Sequence, residues 1–231
     1  ITFAIILASL AVGLGGCKTA KMRDADEAYD RGEYFAAQKI YRKLYNKHTK
    51  KEERWIRGEA AYKMGLCYKH LNQSSRASAA FQNAIRYEYP DSTQILYLAQ
   101  ALHMQGNWKE AMARYQEFLA LVPDSWEAKQ GIRACQLAPK WKEQGSRYIV
   151  KNAKFFNSQR ADFCPMFLDV NADQLYWTSS NEKATGTEKS EITGTKKCDI
   201  FVSKLNDKGK WQKPELVEGE LNTEFDEGCT A

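Results

Sequence analysis

The chain of 231 residues carries 34 Lys plus Arg against 29 Asp plus Glu, a formal net charge of +5, with 43% hydrophobic and 12% aromatic residues. That balance suits one large or two medium folded domains and excludes a disordered, collagenous or low-complexity chain. No apolar run reaches the roughly 18 residues that span a bilayer, and six Cys and three His are too few for a disulfide scaffold or histidine-rich metal chemistry.

Ile1 to Leu14 are apolar but for Thr2, Ser9 and Gly13, and they run into Leu14-Gly15-Gly16-Cys17. An apolar run closed by small residues and a Cys reads as an export signal ending in a lipobox, with residues 1–16 removed and Cys17 acylated as the mature N-terminus. Because neither Met nor a basic segment precedes the run, we expect the sequence to begin a few residues inside the gene product. A multiply acylated Cys anchors a chain without spanning the bilayer, and residues 17–24 are expected to be a linker at that anchor. Such a protein lies beyond the inner membrane, where disulfides are permitted. The basic Lys18-Thr19-Ala20-Lys21 that follows lacks an acidic sorting cluster, which favours the periplasmic face.

From Ala25 to Ala138 apolar and small residues recur at three- and four-residue spacing. Gly32-x-Tyr34-x-x-Ala37-x-x-x-Tyr41, Asn72-x-Ser74-x-x-Ala77-x-x-x-Phe81 and Gly106-x-Trp108-x-x-Ala111-x-x-x-Tyr115 align, with offsets of 40 and 34 residues between the central alanines. The second offset is the period of the tetratricopeptide repeat, which this segment resembles, and about six extra residues around His48 to Glu53 explain the first. We therefore expect three helix A–helix B pairs within residues 25–145. A small residue is expected at each crossing, the aromatic should fill the gap, and Pro90 and Pro123 should follow the B helices. Asp124 to Ala138 is the expected capping helix, with Asp124 or Ser125 as N-cap and Pro139 as its stop.

Past Tyr148 short alternating runs between turn residues predict strands at Phe163 to Leu168, Gln174 to Thr178, Asp199 to Leu205 and Lys210 to Pro214. Asp169-x-Asn171-x-Asp173 has calcium-loop spacing, but Gln174 and Ser180 stand where Gly and Glu are needed, so a turn between strands is favoured. Residues 146–231 resemble the first blade of a PD40 (WD40-like) β-propeller. Asp162-Phe163-Cys164 recurs as Glu227-Gly228-Cys229, which resembles the start of a second blade. One blade cannot close a propeller, so the chain is expected to be a fragment. The expected fold is an α + β multidomain protein: a tetratricopeptide-repeat α-solenoid followed by an incomplete propeller.

His70 and His103 make a poor zinc pair without a third ligand, and Cys67 and Cys135 read as small buried hydrophobes. Cys164 and Cys198 fall in one sheet in an oxidising compartment, and a disulfide between them is left open because spacing does not establish geometry. No nucleophile elbow, P-loop or His-Glu-x-x-His pattern occurs, so no catalytic site, metal or cofactor is expected. Residues 18–150 hold 23 basic and 15 acidic groups, whereas 151–231 hold 11 and 14. A dispersed solvated surface accounts for the basic half, and nucleic acid is not an expected partner.

The order of lipobox, tetratricopeptide repeats and PD40 blade resembles the OmpA-family lipoproteins of Bacteroidetes that serve type IX secretion. The resemblance implies a non-enzymatic outer-membrane lipoprotein, a scaffold linking secretion machinery to peptidoglycan through a C-terminal OmpA-like module not among these residues. It leaves two rivals: a general envelope-stabilising lipoprotein, and a propeller that gates a downstream hydrolase. In a solenoid the A helices line the concave surface. The repeat register places Tyr62, Leu66 and Lys69 beside Leu96, Gln100 and His103 as the expected protein-binding groove.

Overall fold

The computed structural model describes residues 21–228. The expected signal and lipobox, with Cys17, and also Cys229, lie outside the described residues. The chain divides into two compact units, with the boundary in sequence between Ser146 and Arg147.

The first unit is helical. Residues 21–30 form α1, so helix already occupies the second half of the segment expected to be a linker. α2 (Tyr34–Lys47), α3 (Arg54–His70), α4 (Ser74–Arg86), α5 (Thr93–Met104), α6 (Trp108–Leu121) and α7 (Trp126–Gln144) follow. A 3-10 turn, Lys51–Glu53, precedes α3 and accommodates the extra residues of the first repeat. There His48 is buried, its Nδ1 lying 3.2 Å from Glu53 Oε2.

One local device makes the three hairpins alike. Gly32, Asn72 and Gly106 have φ of 80°, 55° and 79°. Each ends an A helix in the left-handed conformation that Gly and Asn tolerate best. The bonds repeat with it: Gly32, Asn72 and Gly106 N–H donate three residues back, and Glu33, Gln73 and Asn107 N–H donate five back, to Ala28, Tyr68 and Leu102 carbonyls. The aligned small and aromatic positions then fill the interior. Ala37, Ala77 and Ala111 are 0–1% exposed, and Tyr41, Phe81 and Tyr115 are at most 3% exposed. Complete burial of one such ring contributes about 1.5–3 kcal/mol.

The last helix differs from expectation. Ser125 is its N-cap, with Oγ accepting from Ala128 N–H at 3.2 Å, but α7 does not stop at Pro139 and continues to Gln144. Proline costs it one N–H and crowds the Cys135 carbonyl. The following Lys140-Trp141-Lys142-Glu143-Gln144 contains mostly good helix formers and carries it on.

The second unit is a four-stranded antiparallel sheet in the order β1-β2-β3-β4: Asp162–Phe167, Gln174–Ser179, Asp199–Lys204 and Glu215–Leu216. Three strands lie within a residue of expectation, and the fourth is displaced. Lys210–Pro214 is no strand; Leu205 only bridges Trp211, and regular pairing begins after Pro214, which has no N–H to give. Asp169–Asp173 is the turn between β1 and β2, where Asn171 N–H donates to Asp169 Oδ1 at 2.9 Å. Trp177 lies opposite Phe201, and Phe156 packs edge-on to Trp177 and Trp211.

The Cys164–Cys198 bridge is corrected. Cys198 is a free thiol, whereas Cys164 is disulfide-bonded to a partner outside the described residues. β2 runs between the strand holding Cys164 and the strand that Cys198 precedes. Strands two apart stand roughly 10 Å from each other, beyond the ~7 Å Cα limit of a disulfide.

Candidate functional site

Facing side chains of three A helices build a groove. On α3, Tyr62, Lys63, Leu66 and Lys69 recur at helical spacing, and on α1 Asp26, Tyr29 and Asp30 do the same. These residues, with Tyr41 of α2 but without Lys69, line a pocket of about 300 Å³. Asp26 organises its floor. It accepts from the Tyr41 hydroxyl at 2.6 Å and from Lys63 Nζ at 2.8 and 2.9 Å, while Lys63 also pairs with Glu59 at 2.9 Å. Burial opposes the Lys63 charge, yet its bonds to Asp26 and Glu59 outweigh that and raise its pKa. Burial, then Asp26, raises the Tyr41 pKa, which keeps that hydroxyl a donor. Burial likewise pushes Tyr29 up to about 12. Asp30 is exposed and has no ion pair among the described residues.

The groove continues to α5 through tyrosines. Tyr62 stacks on Tyr89 with ring centroids 4.6 Å apart and lies 6.4 Å from Tyr97. Its hydroxyl lies 2.7 Å from Thr93 Oγ1 and donates to Asp91 Oδ2 at 3.1 Å. Lys69 Nζ sits 4.1 Å above the Tyr97 ring, a cation–π contact, and burial lowers its pKa.

The residues expected from the register separate into groups. Leu66 lines the pocket, and Lys69 reaches toward α5. Tyr62 lines the pocket too but is only 8% exposed, and Leu96, also 8% exposed, belongs to the core. Gln100 is half-buried, and His103 lies edge-on to Tyr115 of α6 with centroids 6.3 Å apart. On α5 Thr93 meets the Tyr62 hydroxyl, and Tyr97, one position past Leu96, meets both Tyr62 and Lys69 of α3. Asp26, Tyr29, Lys63 and Tyr97 are thus groove residues that the 34-residue register passes over. The sequence signal for the first two was their helical spacing with Asp30.

The two histidines pack on different neighbours. His70 Nε2 lies 3.0 Å from the Tyr29 hydroxyl, and its ring stacks on Tyr34 at 4.2 Å. Burial, then Lys69, lowers the His70 pKa. Among the described residues no three His, Cys, Asp or Glu side chains gather as metal ligands, and no helix is long and apolar enough to cross a membrane. Cys67 and Cys135 are buried, 0% and 4% exposed.

In the sheet, acidic side chains tie loops rather than gather at a cleft. Asp199, fully buried, accepts from the Thr185 N–H at 2.6 Å and its hydroxyl at 2.7 Å. Asp162 accepts from Ser158 N–H and Oγ on one oxygen and from Ser179 Oγ on the other.

The family model of the tetratricopeptide repeat matches residues 59–92 and 95–125. These are α3 with α4 and α5 with α6, so the helical unit carries two tetratricopeptide repeats, and such repeats are protein-interaction modules. α1 and α2 share the turn and packing pattern without falling in a matched segment. No curated protein matches the chain.

Proposed function

We propose that the chain is a docking scaffold of the bacterial envelope whose A-helix groove receives a peptide segment of a protein partner. The observation that carries this is the groove itself, where Tyr29, Leu66 and Tyr97 offer apolar surface between fixed charges. Lys63 is already satisfied by Asp26 and Glu59, whereas Asp30 is unpaired among the described residues. The groove therefore suits an apolar side chain flanked by a basic one. In this reading Cys17 is acylated and holds the protein at the periplasmic face of the outer membrane, and the sheet is the opening blade of a propeller. A later OmpA-like module grips peptidoglycan and links it to secretion machinery. The supports are the lipobox sequence and the order of its segments.

The test has two arms. Photo-crosslinking from position 66 in cells should capture one dominant envelope protein, and Asp30→Lys should abolish that capture without lowering protein level. Mass spectrometry of the native N-terminus should find an acylated Cys17. A residue 17 still joined to Gly16 defeats the anchor, and absence of a specific crosslink defeats the groove.

A further inference from the structure

We propose that the α2–α3 and α4–α5 junctions form a second binding site, for the phosphate group of an organic or inorganic ligand. Lys50, Lys51, Arg54, Arg57 and Arg86, with Thr49, line one pocket of about 280 Å³. That size lies just below ordinary ligand cavities and suits a phosphate with part of its ester. Five cations surround it, and the charge is little neutralised. Only Arg54 has a carboxylate partner, the exposed Glu88 at 2.9 Å; Lys50, Lys51, Arg57 and Arg86 have no ion pair among the described residues.

Two features make this more than a crowd of surface charges. The Arg57 guanidinium carbon lies 4.6 and 4.8 Å from the centroids of the Tyr45 and Tyr87 rings, which meet edge to face, and these two cation–π contacts hold the group in place. Its Nε is buried and has no hydrogen-bond partner, which leaves a directed donor unsatisfied in a native interior. Arg54 is steered as well, since its Nη2 donates to the Arg86 backbone carbonyl at 2.6 Å, which holds its guanidinium against the end of α4. A planar, pre-oriented guanidinium with further Arg and Lys around it is the donor set that recognises phosphate oxygens. Carboxylates offer fewer acceptors and less charge to five cations. Trp55, next to Arg54, is 65% exposed, and an exposed indole beside cations is the pattern of side chains that rest in a lipid headgroup layer. Free phosphate and a headgroup phosphodiester share the recognised chemistry, and the proposal does not depend on lipidation of Cys17.

The full chain, with residue 17 changed to Ser to remove any acyl group, is titrated with inorganic phosphate by calorimetry and mixed with vesicles of phosphatidylglycerol or of phosphatidylcholine alone. Phosphate binding should be saturable and weaken with added NaCl. Lys50→Gln/Arg86→Gln should lower phosphate affinity at least tenfold with an unchanged melting temperature. Arg57→Gln serves as a second variant, scored only where its circular dichroism matches the parent. Retention on phosphatidylglycerol but not phosphatidylcholine vesicles, reduced by the double variant and by Trp55→Ala, assigns the site to a headgroup; phosphate binding without vesicle retention assigns it to a free phosphate. No saturable binding of either probe, or binding equal in parent and double variant, overturns the proposal.

Discussion

Gly65 and Phe81 touch where α3 crosses α4: a methyl group on Gly65 would stand 2.6 Å from Phe81 Cε1, closer than carbon atoms pack. Phe81 is fully buried, so its ring has no open side into which to retreat. Overpacking of this kind costs about 1–3 kcal/mol, offset by up to about 1 kcal/mol of helix propensity. Gly65→Ala should therefore destabilise the helical unit by about 1–2 kcal/mol in urea unfolding. A midpoint equal to the parent's would show that α3 and α4 separate freely.

The groove and the core are distinguished by a pair of substitutions. Leu66 and Tyr97 are only partly buried, and truncating either to Ala should weaken a bound peptide by about 1–2 kcal/mol, with a smaller loss of stability than a core truncation. Leu96→Ala removes a core side chain and should cost about 2–5 kcal/mol of stability. Tyr62→Ala should do both, because that ring lines the pocket and also packs on Tyr89. Calorimetry beside chemical denaturation checks the division, and a Leu96→Ala chain that keeps full stability would undo it.

His70 makes stability respond to mild acid. Its folded pKa is below the ordinary 6.5, so the unfolded state binds the proton more readily. The contribution is complete above pH 6.5 and lost as pH falls through the depressed folded value. In the neutral ring with its proton on Nδ1, Nε2 accepts from the Tyr29 hydroxyl, and protonation removes that acceptor. Melting temperature should decline from pH 7 toward pH 5, and His70→Gln should flatten the decline. An NMR titration of His70 at or above 6.5 would contradict this account.

Asp199 should hold the β2–β3 loop. Asp199→Ala leaves the Thr185 N–H without its acceptor and the hydroxyl with only the Thr223 carbonyl at 3.2 Å, a loss of roughly 1.5–3 kcal/mol for hydrogen bonds to a charged group. Hydrogen exchange read at the Thr185 amide should accelerate strongly, while amides of α3 and α4 stay protected. Uniform exchange across both units would mean that the substitution acts elsewhere.

The helical phase was legible because it rests on local chemistry. Gly32, Asn72 and Gly106 each meet a backbone demand, and the aligned Ala and aromatic residues each meet a crossing. Where the sequence reading fails, long-range geometry decides. Leu96 and Tyr97 differ by 100° around α5, and the repeat register does not resolve which one turns toward α3. Lys63 reads as a surface cation until α1 brings Asp26 within 2.8 Å. The arginines of the phosphate pocket lie on α3 and α4, separated by some thirty residues, and no short motif joins them. Pro139 misleads for the opposite reason: a rule about average helices is overridden by the helix formers that follow it.

The helices pack mainly on their neighbours in sequence, α2 on α3, α3 on α4, and so on to α7, while the sheet order is also the chain order. Low mean separation of contacts has a kinetic meaning, because little loop-closure entropy must be spent before contacts begin to form. Each hairpin that emerges during synthesis meets a surface already assembled by the hairpin before it. The helical unit should consequently refold in milliseconds or faster without waiting for the sheet, so that a newly made chain spends little time with its aromatic interior open to aggregation.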